Sequence, residues 1–154
     1  MAELEQATGR TMADLASAAA ERFGDKVAVR VKRDGDWTEI TYGDAGTIVD
    51  EIASGLVELG LEPGERACVL ANTRPEWMYC DIGILMAGGV TVPIYQSNSP
   101  HECEYIINDS GSKVVFAENP QQLQKLMKER AKLQGVSRVV YFDAVARLEK
   151  PDAQ

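Results

Sequence analysis

The sequence is poor in the residues that most catalytic sites are built from. It has one histidine, His101, and three cysteines, Cys68, Cys80 and Cys103, with no C-x-x-C pair. A zinc site needs several nitrogen or sulfur ligands at fixed spacing, and this set does not supply them. No serine or cysteine is paired with His101 in a recognisable nucleophile pattern. Cys68 falls in a strand pattern and the other two in helical patterns, so all three are expected as core thiols. An odd cysteine count suits a reducing cytoplasm, the expected location. Basic residues are outnumbered, 16 against 24 acidic, for a net charge of −8. That excludes non-specific nucleic-acid binding, which needs a basic footprint, and is read as solubility. No apolar run approaches the length of about 20 residues that spans a bilayer. The N-terminal MAELEQATGRT lacks the basic-then-apolar plan of a signal peptide.

Phosphate-binding signatures are missing too. There is no G-x-G-x-x-G between a strand and a helix and no Gly-Lys-Ser/Thr loop. Gly83, Gly88 and Gly89 fall inside or at the end of a helix pattern, where packing and termination account for them. The strand ends Leu70-Ala71-Asn72 and Ile94-Tyr95-Gln96 lack the carboxylates of a phosphoreceiver. A flavin module would need a Ser/Thr-rich phosphate loop, also missing. A free-standing α/β binding or receiver module is therefore the weaker alternative.

What is present is a regular alternation of elements. The 154 residues, 45% apolar, suit one domain with a real core. Residues 1–10 read as a flexible arm. Thr11, with Asp14, opens a helix carrying Met12, Leu15, Ala16, Ala19 and Phe23 on one face. Val27–Lys32 and Trp37–Thr41 flank an Asp34-Gly35 turn and predict a β-hairpin, with Trp37 in cross-strand packing. Thr41, with Asp44, caps a long helix striped by Ala45, Ile48, Val49, Ile52, Ala53, Leu56 and Val57.

Strands at 66–71, 90–94, 113–117 and 138–142 then alternate with helices at 75–87, 100–110 and 120–133. Four short strands joined by three helices predict an α/β fold: three layers, a mostly parallel sheet with right-handed crossovers, and the hairpin as an antiparallel addition. The helix after Pro75 is apolar on nearly every face, so Trp77 is expected in the core. His101 is expected on the surface. Lys125, Lys128, Arg130 and Lys132, with Glu129, are expected on a solvated face. The terminal RLEKPDAQ reads as a polar tail.

In such folds ligands bind at the carboxyl ends of the strands. That rule singles out Asn72, Thr73 and Arg74 after one strand, and Tyr95, Gln96, Ser97 and Asn98 after the next. Each has a structural alternative. Asn72 and Thr73 can cap the following helix, Arg74 can form a surface or inter-subdomain ion pair, and Tyr95 and Ser97 can pack against other parts of a larger protein.

The same stretch carries a family likeness. N-T-R-P-E-W, a buried helix, then A-G-G-V-T-V-P-I-Y-Q-S resembles the N-terminal region of acyl-adenylate-forming enzymes, the AMP-binding superfamily. R-P-E-W and V-P-I-Y are most similar to long-chain fatty-acid–CoA ligases. W-T-E-I-T-Y-G-D, L-G-L-E-P-G-E-R-A and Y-I-I-N-D-S-G-S-K-V-V-F extend the resemblance from about Phe23 to Asp143. It implies a partial N-terminal subdomain at 11–143, with a polar tail at 144–154.

It implies, for the full-length enzyme, a two-step reaction using ATP, CoA and Mg²⁺. A fatty acid becomes an acyl-adenylate, and CoA then displaces AMP. The family's phosphate loop ends in Pro-Lys-Gly, and that tripeptide does not occur here. The chain is thus expected to hold no catalytic residue, to bind no cofactor or metal, and to be inactive alone. Asn72, Thr73, Arg74, Tyr95 and Ser97 are its candidates for contact with substrate or with the remaining subdomains of the same polypeptide. A ligase for an aryl, short-chain or amino acid is the alternative. Peripheral membrane contact and homodimerisation stay open.

Overall fold

The computed structural model describes residues 11–33 and 35–142. The proposed arm at 1–10 and tail at 144–154 lie outside the described residues. A 3₁₀ turn at Met12–Asp14 leads into α1 (Leu15–Phe23), then β1 (Val27–Arg33), β2 (Asp36–Thr41) and α2 (Tyr42–Glu58). There follow β3 (Arg66–Leu70), α3 (Pro75–Met86), β4 (Val90–Ile94), α4 (Pro100–Ser110), β5 (Val114–Ala117), α5 (Pro120–Glu129) and β6 (Arg138–Tyr141).

Local chemistry sets the helix starts. At α2 the Asp44 N–H donates to Thr41 Oγ1 at 3.1 Å, and the Thr41 hydroxyl donates to Asp44 Oδ2 at 2.7 Å. At α4 the Ser99 N–H donates to Glu102 Oε2 at 2.6 Å, and the Glu102 N–H returns to Ser99 Oγ at 3.3 Å. These reciprocal boxes satisfy amides that a helix start leaves open. Asn119 caps α5 through the Gln122 N–H at 3.0 Å. The α3 start differs from expectation. Neither Asn72 nor Thr73 caps it. Arg74 occupies the cap position with extended backbone and no side-chain cap bond, and Pro75 stands at the first helical position, where a missing N–H costs nothing.

The four later strands form one parallel sheet in the order β4-β3-β5-β6. Alternate residues feed opposite faces. Ala67, Val69, Val114 and Phe116 meet Leu56 of α2 and Cys80 and Ile84 of α3. Cys68, Leu70, Val115 and Ala117 meet Cys103 and Ile107 of α4 and Leu126 of α5. This is the expected three-layer arrangement. A third cluster, Val49, Tyr79 and Ile82, joins α2 to α3, with Ala16 and Ile40 packed beside it. Gly83 permits that contact, because a Cβ there would sit 2.6 Å from Ile52 Cγ2.

The antiparallel hairpin is present as expected and forms its own two-stranded sheet. Several other expectations are corrected. Trp37 is 66% exposed and faces Lys32 across the hairpin, a pairing that offers little apolar cover. Val57 is exposed although it belongs to the periodic stripe, and so are Met12 and Leu15. Trp77 is half-buried at the margin of the core. The last helix stops at Glu129, and a 3₁₀ turn covers Arg130–Lys132.

Candidate functional site at the strand ends

The connection from β3 goes first to β4 on one side and then to β5 on the other. The crevice at such a switch lies outside the carboxyl ends of β3 and β5. Glu118 fills it. This residue is only 7% exposed. Its Oε2 accepts from the Asn72 N–H at 2.9 Å and from Asn72 Nδ2 at 2.8 Å. Arg74 Nη1 lies 3.4 Å from Glu118 Oε1, and Arg74 Nε donates to Glu76 Oε2 at 2.7 Å. The guanidinium also sits over the Phe142 ring, 5.7 Å from its centroid. A buried charge is tolerated when paired and hydrogen-bonded, and here two carboxylates hold one cation. Arg74 is thereby committed to its own chain.

The loop after β4 is pinned from behind. Lys125 Nζ donates to the carbonyls of Gln96 and Asn98 at 2.5 and 2.7 Å, and Gln122 Nε2 reaches Gln96 at 3.4 Å. Lys125 is thus tied to a neighbouring loop, and the expectation of a solvated basic face holds for Lys128, Arg130 and Lys132. Tyr95, 77% exposed, projects from the pinned loop. Together with Thr73, Trp77, Pro93 and Gln96 it lines a cavity of about 180 Å³.

The five candidates therefore separate. Asn72 and Arg74 join Glu118, Thr73 and Tyr95 share the cavity, and Ser97 lines neither. Glu118 and the wall formed by Trp77 were not singled out in the sequence. Glu118 directly follows the strand predicted at 113–117, which placed it at the right end of the sheet; its burial had no local sign.

Nucleophiles are not poised. All three cysteines are buried, as expected, and burial raises the Cys68 and Cys103 thiols and pushes Cys80 up to about 12. A thiol so raised holds almost no thiolate at neutral pH. His101 lies on the surface as expected, 3.2 Å from Glu104. Among the described residues no group of three or more His, Cys, Asp or Glu could hold a metal ion. No helix there is long and apolar enough to cross a membrane.

The described residues thus form a parallel α/β sheet with a polar constellation at its strand ends. The family model "AMP-binding enzyme" matches residues 16–154, and the chain belongs to that family. It is 30% identical over 144 residues to the long-chain-fatty-acid–CoA ligase ACSBG1 of Bos taurus, covering 94% of this chain and 20% of that protein. It is 40% identical over 85 residues to the long-chain-fatty-acid–CoA ligase FadD15 of Mycobacterium bovis, covering 55% of this chain and 14% of that one. The anthranilate CoA ligase AuaEII, solved with anthranoyl-AMP, superposes with a TM-score of 0.78 at 22% identity, over 86% of this chain and 25% of that one. A Mycobacterium tuberculosis fatty acyl CoA synthetase gives 0.75 at 22% identity, over 86% and 26%. The chain thus spans about one fifth of the length of the curated relatives it matches.

Proposed function

We propose that this chain is the N-terminal part of an ATP-dependent long-chain fatty-acid–CoA ligase and acts there as scaffold, without turnover of its own. The observation that carries the reading is the 30% identity to a long-chain ligase across 94% of the chain. In the whole enzyme a fatty-acid carboxylate would attack the α-phosphorus of ATP, releasing pyrophosphate. The CoA thiol would then attack the acyl carbon and release AMP. Mg²⁺ would neutralise phosphate charge.

The described residues do not fit the nucleotide. Arg74, the cation at the switch crevice, is taken up by Glu76 and Glu118. The loop after β3, Asn72-Thr73-Arg74-Pro75, has no glycine to bring its backbone against a phosphate. What the strand ends supply is a fixed rim: one loop anchored by Glu118, the other by Lys125.

ATP–pyrophosphate exchange tests this. The 154-residue chain with palmitate and Mg²⁺ is expected to match a heat-killed control. The polypeptide carried to the length of its relatives is expected to show palmitate-dependent exchange and to form palmitoyl-CoA. Turnover by the short chain would overturn the scaffold role. Exchange by the long one with benzoate or an amino acid, and none with palmitate, would favour a ligase for another carboxylate.

A further inference from the structure

Between α1, β1, α2 and α3 lies an apolar cavity of about 270 Å³. Leu15 and Ala19 of α1, Ala28 of β1, Tyr42 and Val49 of α2 and Ile82 of α3 line it. Protein interiors pack at crystal density, so a void of this size is more than ordinary slack. The helices cannot close it by moving together. α1 already meets α2 at Gly46, where a Cβ would lie 2.7 Å from Ala20 Cβ. α2 already meets α3 at Gly83, against Ile52. Water does not suit the space either. A buried water needs about two to four polar partners, and this lining is mostly alkyl.

Its two ends differ. At the start of α1, Leu15 and Met78 line the cavity and are themselves exposed, so it opens to solvent there. Met12, also exposed, stands in the 3₁₀ turn that lies against α3. At the end of α1 stands Tyr42. Its N–H donates to the Lys26 carbonyl at 2.9 Å, and its ring centroid lies 5.3 Å from that of Phe23. The Arg22 guanidinium and Lys26 Nζ sit 5.0 and 5.3 Å from the Phe23 centroid. Neither cation forms an ion pair among the described residues. Two such cations beside one apolar cavity stand out in a chain of net charge −8. The nine residues of α1 set the two ends about 12 Å apart.

We propose that this cavity binds a medium-chain fatty carboxylate: the alkyl chain fills the apolar space along α1, and the carboxylate rests against Lys26 and Arg22 beside Tyr42. The lining selects an alkyl body and the two cations select an anionic head. An apolar cavity of about 150 Å³ takes one six-carbon ring, so about 270 Å³ scales to a chain of about ten carbons. None of the strand-end residues Asn72, Thr73, Arg74, Tyr95 and Ser97 lines this cavity, and its occupancy does not depend on the ligase reading. A bound chain would touch α1, β1, α2 and α3 together and so hold the hairpin and α1 onto the α2–α3 pair.

Equilibrium dialysis of the 154-residue chain against decanoate tests the proposal. One saturable site per chain is expected, and decanoate is expected to raise the melting temperature. The methyl resonance of Met78 should shift on binding, and that of Met127, on α5, should not. Ala19→Leu fills the cavity from α1 and is expected to weaken decanoate at least about ten-fold, because leucine takes the space the chain needs. Ala28→Leu fills it from β1 and serves if the first variant does not fold. The double variant Arg22→Gln, Lys26→Gln is expected to weaken decanoate about three- to ten-fold, the range for exposed charges, and to leave decanol binding unchanged. Absence of saturable binding, or binding undiminished in a folded filling variant, would overturn the proposal. Equal loss of decanoate and decanol in the glutamine variant would remove the role of the two cations and overturn it as well.

Discussion

Glu118 brings a carboxylate into a position with little water and satisfies it with an amide N–H, an amide side chain and a guanidinium. All three partners lie more than forty residues earlier in the chain. Removing one member of a buried charged network leaves the others without partners, which costs more than the net worth of the bond. Glu118→Gln sets an amide donor against donors. It is expected to destabilise the chain by about 2 kcal/mol, read from the urea midpoint. A double-mutant cycle with Asn72→Ala should give a coupling of at least about 0.5 kcal/mol, as expected for residues in direct contact. Additive losses would show that the strand-end rim is not held as one unit.

Glycine tests the helix contacts at the next scale. Gly83 of α3 lies against Ile52 of α2, where a Cβ would approach Ile52 Cγ2 at 2.6 Å and Cβ at 3.0 Å. Gly55, inside α2, has nothing within 4 Å of the same ideal atom. Alanine in a helix interior gains up to about 1 kcal/mol over glycine, and overpacking a tight contact costs about 1–3 kcal/mol. Gly55→Ala is therefore expected to raise the melting temperature and Gly83→Ala to lower it.

The helix caps predict a pH dependence. Bonds from Thr41 hold the Asp44 carboxyl below its ordinary value, and bonds from Ser99 do the same for Glu102. A carboxyl lowered in the folded state contributes stability above its unfolded pKa of about 4 and loses it as the pH falls through the folded value. Thermal stability should thus decline below about pH 4, and the double variant Asp44→Asn, Glu102→Gln should flatten that acid limb. An unchanged slope would show that the caps do not set it.

At the scale of the whole molecule the three apolar clusters share elements. Residues of α3 enter both the cluster on the sheet and the one against α2, and β3 and β5 feed both sheet faces. Shared elements make the parts unfold together. Melts followed by near-UV and far-UV dichroism are expected to coincide. An earlier loss at the hairpin, whose β1 and β2 form their own sheet, would show that it is a separate unit.

The sequence by itself determined what depends on neighbours a few residues apart. Thr41 with Asp44 and Ser99 with Glu102 mark helix starts because a cap needs a partner only three residues on. The alternation of short apolar runs with amphipathic stretches fixed the strands, their helices and the three-layer class, and the ordered N-terminal motifs pointed to the AMP-binding family. Tertiary structure decided whatever depends on residues distant in the chain. Periodicity placed Val57 on the apolar stripe, but the partner surface ends before it reaches that position. Asn72 had the chemistry of a cap, and Glu118, delivered by a parallel crossover, offered a stronger acceptor. Trp77 had an apolar helix around it, yet its place at the sheet's carboxyl end left it half-buried as a cavity wall. Local pattern encodes which face of an element is apolar; only the assembled layers fix where that cover stops and which charges meet there.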